Sequence, residues 1–178
     1  VLSGSVAGAT SLTVDGVAVV LSGGSFVTPT LLLGEGERTL VLVANDAAGN
    51  STTVLHSIER DSLAPSISIV SPAALVVGAS PIEVSGSAVD PHLASVTVNG
   101  QVATLSGSAF TRSVALVEGS NSILVRALDS LGNASEVTRS ITLDTIPPSV
   151  SITESGQPLL DGSRFHRDVT PVIAASDA

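Results

Sequence analysis

The chain contains no cysteine, lysine, tryptophan, tyrosine or methionine. Without cysteine there are no disulfides and no thiolate metal sites. Without lysine there is no amine for Lys–Asn isopeptide cross-links, so the fold must be held by packing alone. All seven basic residues are arginines (Arg38, Arg60, Arg112, Arg126, Arg139, Arg164 and Arg167). The aromatics are three phenylalanines, Phe26, Phe110 and Phe165. A hydrophobic content of 43% therefore rests on Val, Leu, Ile and Ala, which predicts thin aliphatic cores. Such cores suit two sheets packed about 10 Å apart.

Positive charge is also scarce. The formal charge of −9 argues against nucleic acid, whose phosphates require clustered Lys and Arg. Mean hydropathy is +0.51, yet every apolar run is short and broken by Ser, Gly or Asp. None approaches the roughly 20 residues of a membrane span, so no membrane insertion is expected. With no signal-peptide pattern and no initiator Met, the chain reads as an internal piece or a processed form.

What is present is a repeat. Residues 31–69 recur as residues 115–152, and Gly36/Gly119, Asp46/Asp129 and Asp61/Asp144 are each 83 residues apart. Upstream, Phe26 matches Phe110 and Gly4 matches Gly86, with small length differences that belong in loops. One complete unit then covers residues 64–147. Residues 1–63 match it from Ile82 onward and lack its opening strand, while residues 148–178 match only its beginning.

Within the complete unit, residues 66–70 and 82–86 alternate polar and apolar, which predicts strands A and B. Asn99-Gly100 joins two alternating runs, as Asp15-Gly16 does in the first unit; type I′ hairpin turns need positive φ twice, which these pairs tolerate. Phe26 and Phe110 are the expected large core side chains. Strand F should bury Ile123, Val125 and Ala127, and its counterpart Leu40, Leu42 and Ala44. Its outward residues in the first unit, Thr39, Val41 and Val43, are unusually apolar. Val137 and Ile141 mark strand G, before Asp144 and two prolines stiffen the exit. About seven strands per unit predict an all-β chain of tandem immunoglobulin-like β-sandwich modules.

Five anchors carry a family resemblance: Val84-Ser-Gly-Ser, Val96-Thr-Val-Asn-Gly, Glu118-Gly-Ser-Asn, Ala127-x-Asp-x-x-Gly-Asn and Asp144-x-x-Pro-Pro. The chain resembles the bacterial Ig-like modules of large secreted and surface proteins, of the kind related to the Ig-like domain of glucodextranase. The resemblance implies an extracellular or cell-surface location, with adjacent Ig-like modules of the same or neighbouring chains as partners. A surface protein or glycan is a further partner it allows.

Catalytic chemistry is not legible. His56, His92 and His166 fall at non-equivalent places, and His56 aligns with Arg139. No His-x-x-x-His or Glu-x-x-His spacing offers zinc a ligand set. No serine stands in a Gly-x-Ser-x-Gly elbow. The Glu35 and Glu37 pair lacks the aromatic platform of a sugar cleft. Asp46-Ala-Ala-Gly-Asn50 and Asp129-Ser-Leu-Gly-Asn133 read as F–G turns, although Asn50 and Asn133 also open glycosylation sequons.

The chain is therefore expected to be a non-enzymatic spacer, stalk or fibre segment. The alternative is an adhesive module that recognises a protein or glycan through its loops. Two finer expectations follow from the module ends. Ser149-Val-Ser-Ile-Thr could add to the open edge of the first module of a neighbouring chain, as in β-augmentation. Calcium is the one cofactor considered, because module junctions would gather recurrent acids: Glu35, Glu37 and Asp61 with Asp90 and Asp129, then Glu118 and Asp144 with Asp177.

Overall fold

The computed structural model describes residues 1–154, 157–158, 161–162, 164 and 170–176. Phe165, His166, Arg167 and Asp177 lie outside the described residues. Among those described, every regular element is a β-strand, and no helix is long and apolar enough to cross a membrane. The chain divides into two compact units, Val1–Leu63 and Ala64–Ala178.

The first unit contains β1 (Ser3–Ser5), β2 (Ser11–Val14), β3 (Val17–Val19), β4 (Leu21–Ser22), β5 (Ser25–Val27), β6 (Gly36–Asn45) and β7 (Ser51–Arg60). They form a three-stranded sheet, β1-β5-β4, and a four-stranded sheet, β3-β2-β6-β7. The core between them is Leu12, Val14, Val19, Phe26 and Leu40. Asp15 and Gly16 take φ of 49° and 78° in the β2–β3 turn, the double positive φ of a type I′ hairpin.

The second unit opens with β8 (Ser66–Ser71), β9 (Val76–Val77), β10 (Ile82–Val89), β11 (Leu93–Val98) and β12 (Gln101–Val102). It continues through β13 (Thr104–Ser106), β14 (Ala109–Val114), β15 (Gly119–Asp129) and β16 (Ala134–Leu143). One sheet runs β13-β14-β10-β8 and the facing one β12-β11-β15-β16-β9, which is an Ig-like sandwich. It has nine strands where the alternation predicts about seven. The short β9 pairs parallel with β16, and β12 closes the Asn99-Gly100 hairpin. A period-two reading cannot resolve two-residue strands of this kind.

Core residues of the sandwich follow strand parity. Ile123, Val125 and Ala127 on β15 face Val84, Ala88 and Phe110, all essentially inaccessible. Each large aliphatic side chain buried this way contributes about 1.5–3 kcal/mol. Beyond Pro148, β17 (Ser149–Glu154), β18 (Gln157–Pro158) and β19 (Val172–Ser176) form a separate sheet, β18-β17-β19.

The same parity has a different outcome in the first unit. Leu40 is buried, but Leu42 and Ala44 are only half-buried, although they align with the buried Val125 and Ala127. The reason is topological. In the complete sandwich β8 pairs with β10 and packs Ile67 and Ile69 against the core. Among the described residues, no strand lies beside β1 in the position of β8.

Candidate functional site

Two features gather polar or concave surface: the acid-rich ends of the modules and an open groove in the first unit.

The F–G turns are the most regular of the ends. Asp129 Oδ1 accepts from the amides of Leu131 and Asn133 at 2.9 and 2.8 Å, and its Oδ2 accepts from the Asn133 side chain at 2.7 Å. Asp46 repeats the set with Ala48 and Asn50 at 2.8, 2.9 and 2.7 Å. Both carboxyls are held below their ordinary range. For Asp129, burial opposes the charge, and the Asn133 side chain and turn amides outweigh it. For Asp46 the Asn50 side chain is the leading cause, with the Asn50 amide next. The carboxylates serve as the acceptors that close their own turns, and the same contacts occupy the amides of Asn50 and Asn133.

At the other end of each module a glutamate ties the start of the long hairpin to the residue that leaves it. Glu35 accepts from the Ser62 amide at 2.9 Å and the Ser62 hydroxyl at 2.6 Å, and pairs with Arg60 at 3.2 Å. The Ser62 contacts, hydroxyl first, lower its pKa. Glu118 does the same to Thr145, at 3.0 Å from the amide and 2.7 Å from the hydroxyl. Beside each, an aspartate caps the exit: Asp61 accepts from the Leu63 amide and Asp144 from the Ile146 amide, both at 3.1 Å.

The acids considered for calcium are thus placed as follows. Glu35 and Asp61 flank Ser62 at the exit of the first unit, while Glu37, on β6, accepts from the Ser57 hydroxyl. In the second unit Asp90 and Asp129 share one end, where the Ser130 amide donates to the His92 carbonyl at 3.0 Å. Asp90 accepts from the His92 amide at 2.7 Å. Asp144 lies at the opposite end, beyond the full length of β15.

Besides these clamps, sequence reasoning missed a pair of working side chains in the hairpin turns. Asp15 and Asn99, read only as turn formers, also reach back to the long hairpin, where they accept from the Val41 amide at 2.9 Å and the Leu124 amide at 2.8 Å. The contact from Val41 is the main cause that lowers the pKa of Asp15, and Arg38 adds to it. The signal available was their identical place, the first residue of each Xaa-Gly turn.

The groove occupies about 580 Å³ in the first unit. Its walls are β1 with Gly4, β6 with Leu42 and Ala44, and β7 with Thr52, Val54 and His56. It is the space that β8 fills in the complete sandwich. There, the Ser135 hydroxyl donates to the Pro65 carbonyl and Arg139 donates to the Ile69 carbonyl at 3.5 Å. Thr52 and His56 align with Ser135 and Arg139.

Comparison with known proteins bears on the fold. Residues 65–145 match the family model for glucodextranase, domain B. No curated protein matches the chain significantly. Among solved structures, the chain is similar to the fibronectin(III)-like modules of Clostridium thermocellum CbhA, with 16% identity over 80% of this chain and 81% of that one and a TM-score of 0.40. It is also similar to SGBP-B of the Bacteroides ovatus mixed-linkage glucan utilization locus, solved with a mixed-linkage heptasaccharide. That match has 18% identity and a TM-score of 0.28, and spans 88% of this chain but 45% of the other. The sandwich built by β8 to β16, with its anchors in the turns and at the exit, is an Ig-like module similar to domain B of glucodextranase.

Proposed function

We propose that the chain is a structural spacer of a larger bacterial extracellular protein, built of Ig-like modules divided at residues 63 and 147, and that it is not an enzyme. The observation that supports this reading is the exit clamp. Glu35 on Ser62 and Glu118 on Thr145, each beside a capping aspartate, fix the backbone as it leaves a module. A spacer needs its exits held in one direction, because freedom there would let successive modules swing. The carboxylates are spent on the protein's own backbone, which is how a framework uses charge.

The test is Glu118→Ala, followed by amide relaxation over Asp144, Thr145 and Ile146. Order parameters should fall from the rigid value of about 0.85 to about 0.6 or lower, while the resonances of β15 and β16 stay in place. Unchanged order at the exit would remove the clamp. Selective binding of a glycan or protein to the intact chain at micromolar strength would overturn the spacer reading in favour of an adhesive module. A calcium role for Glu35, Glu37, Asp61, Asp90, Asp129 and Asp144 stands as a separate proposal from the sequence. Calorimetric titration decides it: heat of binding that disappears in Asp61→Ala supports the site, and no heat removes it.

A further inference from the structure

Of the nine aspartates in the chain, Asp90 alone is followed by proline. The nitrogen of that peptide bond carries no hydrogen and two alkyl substituents, so it is more basic than an ordinary amide nitrogen and departs more readily when its carbonyl is attacked. The bond lies in the turn between β10, which ends at Val89, and β11, which begins at Leu93. This turn is pinned on both sides. Ala88 before it is buried, and the Ser130 amide of the F–G turn donates to the His92 carbonyl at 3.0 Å.

Inside the turn, the His92 amide donates to Asp90 Oδ1 at 2.7 Å. That hydrogen bond closes a ring whose members include the Asp90 carbonyl carbon and the Pro91 nitrogen, so the carboxyl is held on the side of the bond that joins them. The Leu93 amide approaches the Asp90 carbonyl oxygen at 3.4 Å. As a resting hydrogen bond this is long, but it is aimed at the atom that takes negative charge when the carbonyl carbon is attacked, and such contacts tighten as charge develops. A nucleophile, an oxyanion donor and a good leaving nitrogen thus stand within four consecutive residues. Asp129, the titratable group of the neighbouring F–G turn, has its oxygens engaged by its own turn. The first unit has nothing comparable, since residues 6–10 between β1 and β2 contain neither an acid nor a proline.

We propose that the second unit carries a self-cleavage site at the Asp90–Pro91 bond. An oxygen of the Asp90 carboxyl adds to the Asp90 carbonyl carbon and closes a five-membered ring. The bond to the Pro91 nitrogen then breaks, and the proton that leaves the carboxyl arrives on that nitrogen, which becomes a new N-terminal amine. Water opens the cyclic anhydride left on Asp90, restoring the side-chain carboxyl and creating a new C-terminal one, so the net change is one water consumed. The pieces stay together after the cut. β10 remains paired with β14 from Ile82 to Ser87, and β9 with β16, so strand pairing and the core carry what the chain no longer connects. The inference does not depend on the spacer reading, since an adhesive module would be cut at the same bond.

The test follows the folded chain in mildly acidic buffer with chelator, by mass spectrometry after denaturation. Two pieces should appear, residues 1–90 and 91–178, with masses that sum to the parent plus one water. Asp90→Glu keeps the charge but must close a six-membered ring, and Pro91→Ala keeps the carboxyl but makes the leaving group an ordinary amide. Each should slow the cut by at least about tenfold with circular dichroism unchanged. The unaltered chain unfolded in urea at the same pH loses the turn and should also be cut at least about tenfold more slowly. That arm separates a built site from the lability of any Asp-Pro bond, and it requires no variant to fold. No cut at this bond, a cut indifferent to both substitutions, or an unfolded chain cut as fast as the folded one overturns the proposal.

Discussion

The carboxylates that close the turns and clamps make stability depend on acid in a defined direction. Asp15, Glu35, Asp46 and Asp129 all sit below their ordinary values of 3.8 and 4.5. A group whose folded pKa is depressed binds its proton more readily in the unfolded chain. Its contribution is complete above the ordinary carboxylate range and is lost as pH falls through the folded value. The melting temperature should therefore be level from neutral pH down to about pH 5 and decline below it. Asp46→Asn with Asp129→Asn keeps one acceptor oxygen in each turn and removes the charge. The double variant should melt lower at neutral pH and lose part of the acid dependence; an acid limb identical to that of the parent would show that these turns do not carry it.

At the scale of elements, two glycines with the same sequence context should respond oppositely to the same change. Gly86→Ala places a methyl against the Ser68 carbonyl, and backbone cannot yield as a flexible side chain would. Strand β8 must shift, uncovering Ile67 and Ile69, so denaturant unfolding of the second unit should show a loss of about 3 kcal/mol or more. Gly4→Ala meets only a ring and should leave the stability of the dilute first unit within about 1 kcal/mol of the parent. Equal losses at the two positions would contradict the reading of β8 as the cause. Much of this framework is legible beforehand. Alternation finds β8, β10 and β15, and Asn99-Gly100 and Asp15-Gly16 announce their turns because few residue pairs accept positive φ twice. The half-exposure of Leu42 and Ala44 is not legible, since parity says which way a side chain points and not whether another strand covers it. Val137 shows the same limit: it shares parity with Ile141 yet is 37% exposed. The glutamate clamps escape for a different reason. Glu35 and Glu118 read as junction acids for calcium because their partners lie 27 residues downstream, and only the recurrence of that spacing in both modules marks it as a contact.

For the whole molecule, the two units should not melt together. Their cores differ in size: five buried apolar residues in Val1–Leu63 against twelve in the sandwich of the second unit, among the residues described. A unit of this length buries a smaller fraction of its unfolded surface than a larger domain does, about 60%, and is marginal even when its sheets are complete. Here Leu42 and Ala44 also forfeit part of their burial to the groove. Scanning calorimetry of the chain should resolve two transitions, the lower one belonging to the first unit, and Phe26→Ala should move only that one. A single transition would refute the independence of the units.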